Sequence, residues 1–210
     1  MSTTRTLIID TATAACSIAL YVGDTLAAHA HEVVNRGHAE RLLPMIAALP
    51  DGGRADHIMV DVGPGSFTGI RVGVAAARGL GLGWNATVTG FSSLAVIAAR
   101  RLADGGDGLP VAVVLEGGHG EVFMQAFAPS PLRPLADLAS LTPAAARKRA
   151  GGTTLVGDGL RLLGFGDPRT APRGALPVAA DALLLPAALR SLPPRPLYGR
   201  APDAKLPAPR

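Results

Sequence analysis

The 210-residue chain is long enough to bury a core, as one domain or two small ones, and 48% of it is hydrophobic. A net charge of +4 and a pI near 10.0 suit an acidic partner without requiring a nucleic acid: the arginines are spread out, clustering only at 147–149 and toward the C-terminus (Arg195, Arg200, Lys205, Arg210), and two tyrosines and one tryptophan give few stacking platforms. No apolar run reaches the ~20 residues of a membrane span, residues 1–5 lead into a strand without a cleavage site, and one cysteine excludes an internal disulfide framework, so a cytoplasmic protein is expected.

Three β-rich runs come first, over 6–10, 17–22 and 25–34, with Gly23-Asp24 as a two-residue hairpin turn. Cys16 lies in the apolar run 16–22, where a buried thiol is expected rather than a nucleophile. His29 and His31 share one face of the third but have no third ligand nearby, which reads as an exposed strand and not a metal site. Leu42, Met45, Ile46 and Leu49 recur at helical spacing and predict a helix over 38–49, which Pro44 kinks or starts. His38 and Glu40 at its head fit helix capping, an interface hydrogen bond or general-base chemistry.

A strand over 57–61 runs into Gly63-Pro64-Gly65-Ser66-Phe67-Thr68-Gly69-Ile70-Arg71-Val72-Gly73, so the glycines sit where a strand ends and a helix begins. Ser66 or Thr68 can accept from the first free helical N–H groups. Five residues separate Gly63 from Gly69 and Ile70 follows, which excludes a Walker loop; the dinucleotide fingerprint fails too, and Pro64 excludes a nucleophile elbow. The turn Gly63, Gly65, Ser66, Thr68, Gly69 reads as a device that lets a helix lie close on a sheet, with anion binding as the alternative. The helix continues to about 83, with Gly69, Gly73 and Ala77 on a stripe that permits close helix-to-helix approach. A strand at 86–89 and a helix at 92–102 complete the order βββαβαβα.

The break at 104–108 divides the chain into a first lobe at 1–107 and a smaller one at 108–191, followed by a proline-rich tail at 192–210 that is extended and partly ordered. The second lobe opens on a hairpin, 110–116 and 121–127, followed by helical signals at 142–149 and 178–190 and a strand at 153–156. His57 and His119 have no recognisable partners. The hairpin-first pattern in both halves hints at two related lobes.

Three stretches carry a resemblance: Ile8-Ile9-Asp10-Thr11-Ala12-Thr13-Ala14-Ala15-Cys16-Ser17-Ile18-Ala19-Leu20, His38-Ala39-Glu40-Arg41-Leu42-Leu43-Pro44-Met45-Ile46, and 63–79 with Gly90-Phe91-Ser92-Ser93-Leu94. Over about 7–100 they resemble the TsaB (YeaZ) family of the tRNA threonylcarbamoyladenosine pathway. That resemblance implies an α/β fold of the actin/sugar-kinase/Hsp70 (ASKHA) type, two ribonuclease-H-like lobes with the second reduced. It also implies an incomplete enzyme. The related catalytic subunit TsaD carries two metal-binding histidines in a stretch resembling Gly-Val-Asn-His-Met-Glu-Gly-His, and on 90–97 these fall on Ser93 and Ile97, an unsuitable pair of ligands. No catalytic residue and no metal are therefore expected. Where the family usually has Asp-Ala-Arg-Arg-Gly-Glu-Val-Tyr, the chain has Glu116-Gly117-Gly118-His119-Gly120-Glu121-Val122-Phe123, which keeps only Glu121 of the polar groups.

The resemblance implies a partner interface of His38, Glu40, Leu43 and Ile46 on one helix and Ile70, Arg71 and Val74 on the next, packed against the same helices of TsaD or of a second copy. The implied role is a noncatalytic scaffold for the TsaD-containing complex that forms N6-threonylcarbamoyladenosine beside the anticodon, with a TsaE-like ATPase joining and tRNA contacted indirectly. No cofactor of its own is implied; the partner interface is the one place where the resemblance leaves room for ATP or ADP. Two other classes stay open: a stand-alone peptidase or nucleotide-dependent phosphotransferase, separated by metal or nucleotide binding to the isolated chain, and a direct tRNA-binding module, separated by salt-dependent RNA affinity.

Overall fold

Leu7, Ile8 and Ile9 make the centre of β1 (Arg5–Asp10) apolar at successive positions, so both faces of that strand must be covered. The computed structural model, which describes residues 3–105, 108–165 and 176–200, covers them with helices on opposite sides. β2 (Ala15–Val22) and β3 (Thr25–Val33) continue as an antiparallel meander. β4 (His57–Asp61) and β5 (Thr87–Phe91) add in parallel on the other side of β1, giving the order β3-β2-β1-β4-β5. This is the ribonuclease-H-like lobe that the resemblance implied.

α1 (His38–Ala47) and α2 (Phe67–Trp84) cover one face of this sheet through Leu42, Met45, Ile46, Ile70, Val74 and Ala77, which meet Leu7, Ile9, Ile18 and Val60. α1 runs through Pro44 and stops at Ala47, short of the expected Leu49. α3 (Ser93–Ala103) lies on the other face, and the second sheet packs on its far side. That sheet has the order β10-β6-β7-β8, built from β6 (Val111–Gly118), β7 (Glu121–Pro129), β8 (Leu132–Pro134) and β10 (Thr154–Val156), with β9 (Ala139–Leu141) also paired to β7. β6 pairs antiparallel with β7 and parallel with β10. α4 (Pro143–Ala150) closes the outer side through Ala146 and Ala150. The layers are helix, sheet, helix, sheet, helix, and α3 is shared by both sheets.

Two readings change. The helix expected over 178–190 is two 3₁₀ segments, Ala179–Leu184 and Ala187–Leu189. The buried residues Ala179, Ala182 and Leu185 recur at three, the 3₁₀ period, and Pro186 cannot supply the N–H a continuing helix needs. The expected tail packs back along its first part: Leu192 bridges Gly90 of β5, and Leu197 N–H donates to Val62 O at 2.7 Å. Residues 201–210, and residues 106 and 107 at the expected lobe boundary, lie outside the described residues. Among the described residues no helix is long and apolar enough to cross a membrane.

Candidate partner face and inter-lobe cleft

The turn from β4 into α2 is tight because backbone meets backbone. Gly63 has φ +105°, which side chains rarely adopt, and its N–H donates to Asp61 Oδ1 at 2.6 Å. A Cβ on Gly65 would lie 1.9 Å from Ala12 O, and one on Gly69 2.1 Å from Thr11 O. Ser66 caps α2 by accepting from Gly69 N–H at 3.2 Å, and its own N–H donates to Ala12 O at 2.6 Å; Thr68 is exposed and does not cap. Thr11 Oγ1 donates to Gly69 O at 2.7 Å, so the β1–β2 loop is fastened to the helix at several points.

Beneath the turn lie two buried carboxyls that sequence reasoning missed. Ile9 is paired with Val60 in the parallel ladder, which sets Asp10 and Asp61 side by side at the strand ends. Asp10 Oδ1 accepts from Ala12 N–H at 3.1 Å, and its carboxyl shares a side-chain hydrogen bond with that of Asp61. Asp61 Oδ2 accepts from Ser93 Oγ at 2.6 Å. Burial, with the charge of Asp61 beside it, holds the Asp10 carboxyl well above the usual carboxylate range, and burial raises Asp61 to about 6. Ser93 and Ile97, the positions on which metal ligands would fall, are both buried, Ser93 tied to Asp61 and Ile97 in the shared core.

A cleft of about 690 Å³ opens between the lobes in front of the turn, walled by Thr13, Ser66 and Phe67 on one side and by Glu116, His119 and Phe123 on the other. Asp158 also reaches it; burial raises its carboxyl to about 6, and it accepts from Glu116 N–H at 3.0 Å. Glu116 is paired with Arg161. Glu121, the group kept from the family pattern, accepts from Ser140 Oγ at 2.6 Å, a bond that lowers its pKa, and faces Arg200 at 3.5 Å.

The seven residues expected at a partner interface divide by exposure. Ile46, Ile70 and Val74 are 2%, 1% and 5% exposed and belong to the core between the helices and the sheet, so they are not docking residues. His38 is also buried, and its Nε2–H donates to Ala15 O at 3.2 Å, a tie within the chain. Glu40, Leu43 (52% exposed) and Arg71 do face outward. Two small-residue stripes run along α2, and the one singled out in the sequence is the inner one. Gly69, Gly73 and Ala77 press on the chain's own sheet, and the exposed stripe is Ala75, Gly79 and Gly83, where a Cβ added to either glycine meets nothing within 4 Å. Leu82, 88% exposed, stands beside it.

The other titratable candidates, His29, His31, Cys16 and His57, do not line the cleft. His29 and His31 are exposed on β3, and burial together with His29 lowers the pKa of His31. Burial pushes the Cys16 thiol up to about 11. His57 Nε2 lies 2.8 Å from Thr89 Oγ1. Among the described residues, no group of three His, Cys, Asp or Glu side chains could hold a metal ion.

A family model described as TsaD, tRNA N6-adenosine threonylcarbamoyltransferase, matches residues 28–129. The tRNA threonylcarbamoyladenosine biosynthesis protein TsaB of Escherichia coli (strain K12) is 38% identical over 57% of this chain and 53% of its own length. TsaB of Haemophilus influenzae is 42% identical over 44% of this chain and 41% of its own length. The chain thus spans about half the length of these curated relatives. An uncharacterized protein of Mycobacterium tuberculosis is 31% identical over 95% of this chain and 93% of its own length. Among solved structures, YeaZ from Pseudomonas aeruginosa superposes with a TM-score of 0.75 at 28% identity, covering 93% of this chain and 99% of that one.

Proposed function

The chain belongs to the TsaB (YeaZ) family, and on that premise we propose that it acts in tRNA threonylcarbamoyladenosine formation as a noncatalytic scaffold subunit that docks a TsaD-like catalytic partner on the outer faces of α1 and α2. The observation that carries the reading is the pair Gly79 and Gly83. Each costs an exposed helix about 1 kcal/mol relative to alanine, and among the described residues nothing lies within 4 Å of a Cβ at either position. A partner helix lying close along Ala75, Gly79 and Gly83 does need both to be small. Leu43 and Leu82 supply apolar contact on the two helices, and Glu40 and Arg71 supply polar groups within the same face.

In this reading the acyl-transfer chemistry and its metal belong to the partner, a TsaE-like ATPase joins the pair, and any ATP or ADP sits at the partner interface rather than being held by this chain alone. The tRNA is contacted indirectly, and a second copy of the chain can occupy the same face when the partner is absent. The test is the mass in solution, by light scattering, of the chain mixed with a TsaD subunit. A 1:1 complex is expected, and Gly79→Leu should abolish it while circular dichroism shows an intact fold. A Gly79→Leu variant that still forms the complex moves the interface elsewhere.

A further inference from the structure

Residues 192–200 divide in two by what holds them. The first part is paired through its backbone to the first sheet and the residue that follows β4: Gly90 N–H donates to Leu192 O at 2.6 Å, Leu192 N–H donates to Gly90 O at 2.9 Å, and Leu197 N–H donates to Val62 O at 2.7 Å. Gly90 is buried there, and a Cβ on it would come 3.0 Å from Pro193 O, so the segment lies flat on the strand.

The second part, 198–200, is held by side chains on both lobes. The Tyr198 ring stacks on Phe67 with centroids 5.3 Å apart, and its hydroxyl accepts from Arg71 Nε–H at 3.0 Å. The Arg71 guanidinium in turn lies 3.5 Å from the Phe67 ring centre. Across the cleft, Arg200 faces Glu121 of β7 at 3.5 Å, and Gly199 lies against the Phe123 ring, where a Cβ would come 2.4 Å from a ring carbon. Tyr198, Gly199 and Arg200 are therefore one wall of the cleft, and Phe67, Arg71 and Tyr198 are exposed. Contacts open to water contribute little because solvent competes for them, whereas unpairing a backbone bond over a buried glycine strands its polar groups.

We propose that residues 198–200 are a flap that opens and closes the inter-lobe cleft, hinged on the backbone-paired segment that ends at Leu197. Opening it needs no movement of the lobes, which share α3, and uncovers Phe123 and the hairpin behind it. A glycine at 199 is what lets the flap close, because any side chain would meet the Phe123 ring first.

The flap belongs to the chain alone, so its test needs no partner. In Gly199→Val, nuclear magnetic resonance should show the Arg71 Hε proton exchanging with water about tenfold faster or more, while the Leu192 and Leu197 amides keep their protection. A soluble gadolinium chelate should at the same time relax the Phe123 ring protons more strongly than in the native chain. Tyr198→Ala, which removes one anchor and adds no bulk, should give the same gain in Phe123 relaxation. Unchanged Phe123 relaxation in both variants overturns the proposal, as does a loss of protection that spreads to Leu192 and Leu197.

Discussion

One substitution, glycine to alanine, should have opposite signs on the two sides of α2. At Gly69 the new Cβ would stand 2.1 Å from Thr11 O, a backbone atom that the hydrogen bond from Ser66 to the adjoining Ala12 holds in place. The N-terminal turn of α2 would have to retreat from β1 by on the order of 1 Å, loosening the packing of Ile70 and Val74. Overpacking of this kind costs about 1–3 kcal/mol, and loss of the Thr11 to Gly69 bond adds about 1 kcal/mol, so Gly69→Ala should lose about 2–4 kcal/mol. At Gly79 the same Cβ meets nothing within 4 Å, and the gain in helix propensity should stabilise the chain by about 1 kcal/mol. Urea unfolding followed by circular dichroism should therefore move the midpoint down for Gly69→Ala and up for Gly79→Ala, with the slope unchanged. A neutral Gly69→Ala would refute the close-approach account of the turn. A destabilised Gly79→Ala would mean that the outer stripe has an intramolecular role.

The buried acids predict a pH effect. Both carboxyls titrate higher in the folded chain than in the unfolded one, so their contribution is greatest below about pH 4 and is lost as pH rises through their folded values, about 6 for Asp61. Asp10→Asn has no carboxyl there to ionise, so its stability relative to the native chain should improve as pH rises above about 4; a difference that stays constant with pH counts against the pair. Burial also separates the four apolar residues first expected at the interface. Ile46→Asp, Ile70→Asp and Val74→Asp should unfold the isolated chain, since each buries an unpaired carboxylate, whereas Leu43→Asp should leave it folded and weaken partner association. Thermal melts and light scattering decide, and a folded Ile70→Asp chain would show that this part of the helix is not core.

Local signals carried the first half of the fold. The apolar run of β1, the Gly23-Asp24 hairpin and the spacing of Leu42, Met45 and Ile46 each reflect the near neighbours of a residue, and their elements formed within a few residues of where the sequence put them. What it could not disclose depends on contacts distant in sequence. Helical periodicity finds two small-residue stripes on α2 without saying which one meets the sheet, and only the approach of Thr11 decides that. Asp10 and Asp61 end two separate apolar strands, and the register that joins them is a property of the sheet. Prolines made 192–200 look like a tail because its partners, Gly90 and Val62, lie more than a hundred residues earlier. The 3₁₀ period of Ala179, Ala182 and Leu185 was the one missed signal that the sequence did contain.

The placement of α3 has a consequence for how this protein can be divided. Ile8 and Met59 from the first sheet, Val113 and Phe127 from the second, and Ala179 and Ala182 from the late 3₁₀ segment all enter one apolar cluster around that helix. Tyr21 Oη and Ser17 Oγ of β2 also bond the backbone of Ala180 and Ala179, 2.6 Å and 3.0 Å away. A fragment ending after α3 would present a bare hydrophobic slab to water, and a fragment starting at β6 would lack the surface it rests on. Expressed separately, each should aggregate. The intact chain should melt in a single transition, and a proteolytic nick between the lobes should leave two pieces that stay together until both unfold.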